Sequence, residues 1–485
     1  MMSWRMFSVG SAYCCTLMLM GVVWCGCAVK EPASLMRVVS KGVPSGWSAS
    51  KPSKAGVDAR WVARFGDRRL TSFVDEALAN NKDMKIAAER VLRAGEAARV
   101  AGALAQPQLG LNLGGNRQKI NFIGFPFGGS QISESYGMDF KVAWEPDIWG
   151  RGRAGRSAAI AEWQAGGHEL RAARASLAAQ VCKAWFAVAE GNAQVVLAKE
   201  ALRLRQKTES AVRDRFERDM RAEGGSAAQL RLAQVDVASA KAELSATQGE
   251  VELARRQLEL LAGRYPSAKV VGRARLPRIP SSPPSGLPSE LLLRRPDILA
   301  AERRYVVTTR RIKEAKLAFF PSFKMTGSSG TTTDALSQII NSDFGVWSIG
   351  ASVIYPILTG GRIKSEVRVR RSNQREALAA LQKTVLQAFG EVEQALASDR
   401  WLQRRGRGFR EARDLARDAA QSSEEDYRDG NGDVLTLFAA QTRKIKLESQ
   451  YLALQRMSLN NRVDLHLALG GGFTTSPQSI KKKNE

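Results

Sequence analysis

Cysteine and histidine are the side chains best suited to nucleophilic or metal chemistry, and their placement in this chain supports neither. Among 485 residues there are two histidines, His168 and His466, and five cysteines. The histidines stand far apart in sequence. Cys14, Cys15, Cys25 and Cys27 crowd into the first 27 residues and leave Cys182 alone in the body of the chain. A zinc or haem site needs several such ligands at short spacing, and a disulfide framework needs pairs, so neither is expected. Cys182, in "AAQVCKAWF", reads as a buried small hydrophobe on a helix. No Gly-rich phosphate loop lies between a strand and a helix, and no Ser/His/Asp or Cys/His set has a matching context. Catalysis is therefore not expected.

The exception with chemistry in prospect is Cys27. Arg5 precedes an apolar run, "MFSVGSAYCCTLMLMGVVW", that closes on "CGC", and residues 1–26 read as a secretory signal. A small residue followed by Cys at its end points to a bacterial lipoprotein, with Cys27 acylated (palmitate being the expected chain) as the first mature residue. Trp24 and Cys25 depart from the aliphatic-then-small pattern usual there. Ala28, in place of Asp, fits onward sorting to the outer membrane.

A formal charge of +25 would suit nucleic acid if the basic residues were clustered. They are instead scattered along helical stretches among Glu and Asp. A solvated, mixed-charge helical surface is expected, with no nucleic-acid partner.

The length allows two domains or one duplicated architecture, and the chain repeats itself. Residues 27–66 are rich in Pro, Ser, Gly and Lys and read as irregular. From Asp67 a helical pattern runs to Pro107 as one long helix. "AAERVLRAGEAARVAGALAQPQLGLNLGG" (87–115) lies over "AAERRYVVTTRRIKEAKLAFFPSFKMTGSSG" (300–330), "AWEPDIWGRGR" (143–153) over "VIYPILTGGRI" (353–363) with Gly150 over Gly360, and "LRLAQ" (230–234) over "LFAAQ" (437–441). Three matches in one order give two structural repeats, 67–266 and 291–470, joined by a Pro-rich linker at 267–290 and followed by a polar tail at 471–485. Each repeat is expected to run helix, strand, strand, long helical hairpin, with the hairpins at about 151–262 and 360–470 and their turns at "RAEGGS" (221–226) and "RDGNGD" (428–433).

From Arg151 to about Asp219 nothing breaks the helical pattern, which at about 1.5 Å per residue spans on the order of 100 Å. The segment is charged throughout, and a bilayer core needs about 30 Å of apolar helix, so it must cross water. The strands, at about 107–116, 135–145, 321–330 and 346–356, behave otherwise. Tyr136, Met138, Phe140, Val142 and Trp144 line one face of the second, while Gly137, Asp139, Lys141 and Ala143 line the other. Lys324 and Ser348 fall on the polar faces of the third and fourth. Apolar outside, polar inside, with aromatics near the ends, is the pattern of a transmembrane β-barrel. Four strands cannot close a barrel, and an open edge in lipid leaves backbone groups unsatisfied. Three copies give twelve strands with room for an aqueous pore, and the small, polar inward residues favour that number.

With "LLLRRPDILAAERR" (291–304), "AFFPSFKMTG" (318–327), "WEPDIWGRGR" (144–153), "YPILTGGRI" (355–363) and "VLTLFAAQ" (434–441) in place, the chain resembles the TolC-like outer membrane factors, in their lipoprotein branch, from about Trp61 to Gly470. The resemblance implies a mainly α protein with transmembrane β: a homotrimer sharing a twelve-stranded β-barrel continued by a long periplasmic α-helical barrel. It further implies a periplasmic adaptor, an inner membrane pump of the resistance-nodulation-division type, and passive export of drugs or other small molecules. Two features depart from the family pattern. The places that usually carry an acidic aperture ring hold Thr436 and Ala439, so Asp429 and Asp433, around Gly430 at the turn, are expected either to supply that charge or only to cap helices. Phe216 to Gln234 is also four residues longer than the matching Tyr427 to Gln441. Alternatives of the same or another class are a duct for type I protein secretion and a non-conducting structural envelope lipoprotein.

Overall fold

The computed structural model describes residues 44–49, 60–121, 129–219 and 227–471. The signal segment, Cys27, the turn at 221–226 and the tail beyond 471 lie outside the described residues.

The first element is a 3-10 turn, Trp61–Phe65, followed by α1 (Arg68–Asn80), α2 (Lys82–Ala103), β1 (Gln108–Asn121), β2 (Ser130–Trp144), α3 (Arg151–Asp219) and α4 (Ala227–Leu261). The plan then recurs as α5 (Pro288–Arg294), α6 (Pro296–Leu317), β3 (Ser322–Thr333), β4 (Gly345–Ile354), α7 (Arg362–Arg428) and α8 (Val434–Ala468). Counterparts agree in size: 22 residues in both α2 and α6, 69 in α3 against 67 in α7, and 35 in both α4 and α8. The internal repeat is thus a repeat of structure. One detail shifts: α7 starts after Gly361, not Gly360, so the structural match of Gly150 is Gly361. Both glycines have left-handed backbones, with φ of 83° and 81°, which a side chain would strain.

Two expectations are corrected. The single helix expected from Asp67 to Pro107 is broken at Asn81, where ψ is 132°. The Asn81 side chain accepts from the Met84 amide at 3.1 Å and donates to the Leu261 carbonyl at 2.9 Å. Asn competes in this way with the helical backbone, and the apolar periodicity runs across the break without marking it. The segment 27–66, expected to be irregular, contains the 3-10 turn, and its Trp61, Val62 and Phe65 are buried.

The strands form one antiparallel sheet in chain order, β1-β2-β3-β4. β1 and β2 run further than expected, to Asn121 and back to Ser130, because their ladder outlasts the apolar alternation. Arg117 and Glu134 face each other there in an ion pair at 2.9 Å, and a ladder in water needs no apolar face.

α3 and α7 run the length of the helical wall. α2 and α6 flank them in the half next to the sheet, and α4 and α8 in the half away from it; α3 packs along all four, and α7 along α6 and α8. Over this wall the N-terminal elements form a second layer. Trp61, Phe65, Leu70, Phe73 and Val74 pack against Val181, Cys182, Trp185 and Phe186 of α3, with Leu258 of α4 and Val463 of α8. Burial pushes the Cys182 thiol far up in pKa and leaves it inert.

Asp67 fastens this layer. Its carboxylate caps α1, accepting from the Arg69 and Leu70 amides, and accepts from Trp185 Nε1 at 3.1 Å. Asp67→Ala would remove the cap and strand a buried donor, a loss of about 2–4 kcal/mol. Asp67→Asn, which still caps, should lose less. Urea unfolding followed by helical circular dichroism is expected to rank wild type above Asn above Ala.

Candidate channel lining and periplasmic tip

Antiparallel register decides which side chains share a face of the sheet. Leu111 pairs with Phe140, Phe140 with Ser329, and Ser329 with Trp347, so these lie on one side together with Leu113, Met138 and Ile349. The opposite side carries Asn112, Asp139, Lys141, Ser328, Ser348 and Lys324. From Tyr136 to Trp144 the apolar side extends about 27 Å along the strand, or about 20 Å along the membrane normal at the usual tilt. That suits the hydrocarbon layer. Among the described residues no helix is long and apolar enough to cross a membrane.

The four residues expected to face the pore do share the polar side. Asp139 and Lys141 pair at 3.3 Å, and Asn112 Nδ2 donates to Asp139 at 3.1 Å. Lys141 is the register partner of Ser328, whose hydroxyl lies 2.8 Å from that of Ser348. Lys324 stands apart, four residues nearer the helices and opposite Ser352. At Gly330, the register partner of Asp139, the strands approach so closely that a Cβ would run into the Met138 carbonyl and the Asp139 Cα.

Below the sheet the chain changes direction, and here lie residues whose roles the sequence reading missed. Asp147 accepts from the Gly152 amide at 3.1 Å and the Arg153 amide at 2.7 Å, capping α3 from the loop. Trp149 Nε1 donates to the Pro321 carbonyl at 2.8 Å, with its ring 5.1 Å from that of Phe320. This locks the exit of β2 to the entrance of β3 and explains "EPDIWGRGR" as a joint.

"RRPD" is a second joint. Arg295, 7% exposed, clasps Asp297 through Nε at 3.1 Å and Nη2 at 2.6 Å, and through Nη1 reaches Glu391 of α7 at 2.6 Å and the Ala468 carbonyl of α8 at 3.1 Å. Burial pulls its pKa down, but the Asp297 and Glu391 bonds outweigh this and hold it above the ordinary arginine value. Glu259, 2% exposed, makes a third joint by accepting from the Ala268, Lys269 and Val270 amides at 2.7–3.1 Å, which pins the linker to α4. Buried charges survive because each is bonded. The motif marks the segment holding Arg295 and Asp297 but not Glu391 and Ala468, which lie 96 and 173 residues away.

The two histidines do not meet in one site. His168 is half-buried beside Arg171, and burial, then the charges of Arg171 and Arg303, lower its pKa. His466 is fully buried and stacked on Trp61 with ring centroids 5.5 Å apart.

At the far end of the helices the two hairpins lie side by side. Val212, Ala233, Val434 and Phe438 form a small apolar cluster there. Around it Lys207 pairs with Glu424 at 2.7 Å, Arg205 with Asp236, and Arg205 Nη2 donates to Thr442 at 2.6 Å. Lys207 holds the Glu424 carboxyl below the usual range. Asp433 caps α8 through the Leu435 amide at 3.1 Å, whereas Asp429 is exposed at the end of α7 and Gly430 takes a left-handed φ of 84°. Thr436 and Ala439 are exposed on α8.

A sheet with one lipid face and one polar face, feeding two helical hairpins of on the order of 100 Å, is the arrangement of known export channels. The family model of outer membrane efflux proteins matches residues 73–264 and 287–471. The chain belongs to this family. It is 28% identical over 444 residues to the pyoverdine export outer membrane protein OpmQ of Pseudomonas putida, covering 89% of this chain and 92% of that one. It is 29% identical over 439 residues to the outer membrane protein OprJ of Pseudomonas aeruginosa, covering 89% and 90%. Among solved structures it is similar to the outer membrane channel OprN, with a TM-score of 0.81 at 26% identity over 89% of this chain and 97% of that one. The open state of the Neisseria gonorrhoeae MtrE channel gives a TM-score of 0.78 at 29% identity over 89% and 96%. As a member of this outer membrane efflux family the protein is a channel: three chains supply four strands each to one barrel, continued by a helical tunnel into the periplasm.

For the channel to stand, the Arg295 joint must hold. Arg295→Ala leaves Asp297 and Glu391 without their cation and should cost about 3–5 kcal/mol. Arg295→Lys keeps the charge but not the two-pronged geometry, so its melting point should fall between those of the alanine variant and the wild type. A lysine variant as stable as wild type would contradict the assignment.

Proposed function

We propose that this protein is the exit duct of a tripartite efflux pump, receiving small molecules from an inner membrane transporter of the resistance-nodulation-division type through a periplasmic adaptor. The observation that carries the reading is continuity: the polar side of the sheet passes without a separate domain into helices that outspan a membrane several times over. Cargo travelling inside such a wall meets neither lipid nor periplasm. The relatives named for pyoverdine export and for cation or toluene efflux support small-molecule cargo. No residue is assigned to catalysis; the energy comes from the partner. The groove of about 430 Å³ between the hairpins at the tip, lined by Lys207, Thr208, Arg218, Tyr427 and Arg428 among others, is the adaptor's place in this reading. Asp139, Lys141, Lys324 and Ser348 line the pore, and a fatty acyl chain on Cys27 holds the mature amino terminus at the membrane.

Planar bilayer recording of the purified trimer tests the duct: discrete ion conductance is expected, and its absence would sink the reading. The same recording tests the tip charge. Asn caps a helix as well as Asp does, so Asp429→Asn with Asp433→Asn removes charge and keeps the caps. Closed-state conductance should change; an unchanged value would leave Asp433 as a cap alone and Asp429 without a part in the gate. Mass spectrometry of the mature amino terminus should find an acylated Cys27, and the Cys27→Ser protein should lack the lipid mass.

A further inference from the structure

The connection between β3 and β4, residues 334–344, exposes two large apolar side chains, Leu336 at 62% and Ile340 at 78%. It lies at the end of the sheet opposite the long helices, on the outer side of the membrane, where polar residues are the ordinary choice.

Register shows which way the connection folds. Thr331 pairs with Met138 on one side and Gly345 on the other, which places it on the lipid side with Leu113 and Met138. Its hydroxyl donates to the Ile339 carbonyl. The connection therefore folds back over the lipid side and not over the pore. Thr333, on the same side, is buried at the fold-back, and its hydroxyl accepts from the Ala335 amide at 3.2 Å. The backbone suits such a place. The Gln338, Ile339 and Asn341 amides donate to the Ala335, Leu336 and Gln338 carbonyls at 2.9–3.4 Å, so three of the amides around the apolar side chains are already paired, which lowers the cost of leaving water. Trp347 and Ile349, 77% and 81% exposed, continue the same apolar side along β4.

We propose that the β3–β4 connection is a lipid-binding element of the outer leaflet, placing Leu336 and Ile340 among acyl chains at the upper rim of the barrel. The exposed Asp334 and Asp343 at its two ends stand at headgroup level. The proposal rests on the assignment of the lipid side, so the experiment carries its own reference positions.

Nitroxide labels at Leu336→Cys and Ile340→Cys, in full-length trimers reconstituted into phosphatidylcholine vesicles, are compared with labels at Ile349→Cys on the lipid side and Ser348→Cys on the pore side. Unsubstituted protein sets the background; Cys182 is fully buried. Power-saturation spectroscopy should give an oxygen-to-nickel-chelate accessibility ratio at 336 and 340 close to that at 349 and several-fold above that at 348. Ratios matching 348 would place the connection in water, and shielding from both reagents would place it against a neighbouring copy; either overturns the proposal. Equal ratios at 348 and 349 would overturn the assignment of sides and the proposal with it. The unmodified protein gives a second reading: a diazirine-bearing phosphatidylcholine should cross-link to the peptide spanning 334–344. Adducts on β4 with none on that peptide would count decisively against it.

Discussion

In hydrocarbon every peptide N–H and C=O needs a partner, and a sheet of four strands leaves two rows of them open, along β1 and β4. Much of the rest follows from closing that edge. β4 of one copy must meet β1 of the next, and three copies close a ring of twelve. Twelve tilted strands make a wall of about 12 Å radius, whereas twelve helices at their ordinary spacing make one of about 18 Å. The tunnel therefore widens as it leaves the membrane, and the chain must turn outward at each junction. That is where the Asp147 cap, the Trp149 bond and the left-handed Gly150 and Gly361 lie.

In the periplasm the constraint changes. Water satisfies the outer face of a helix, so α3 and α7 can carry charge along their whole length, and only their contacts with neighbouring helices need apolar or small side chains. What must be held is the single layer itself, which has no thick core. The second layer supplies this, with aromatic packing of Trp61, Phe65 and Phe73 and with Asp67, Glu259 and Arg295. Trp47 adds to it, donating to the Ser285 and Gly286 carbonyls at 3.0 and 3.1 Å while the neighbouring Ser48 and Ala49 amides donate to Glu393. Because the lumen has to stay open, such a layer belongs on the outer surface of the wall.

Much of this was legible because it is periodic. Alternation in Tyr136–Trp144 and its three companions marked the strands and their two sides, and the repeated "AAER", Pro and Gly positions marked the duplication. Non-periodic features escaped. The break at Asn81 depends on a side-chain amide reaching Leu261, and Arg295 depends on Glu391 and Ala468; no local spacing encodes either. The outer ends of β1 and β2 were missed for the opposite reason, since a ladder in water asks nothing of its side chains. The turn acids were read as charge or as caps, and the Asp433 bond to the Leu435 amide, invisible in the spacing, adds a cap at one of them without deciding its charge role.

The near-equal hairpins have a consequence in symmetry. Three chains of two similar hairpins present the periplasm with six, so the tip is almost sixfold although the protein is threefold. The resemblance is incomplete at the turns: seven residues separate α3 from α4, five separate α7 from α8. Any ring of partners that assembles on this end therefore meets grooves of two alternating kinds. Six identical partner molecules would have to settle into two distinct environments, and three would have a choice between them.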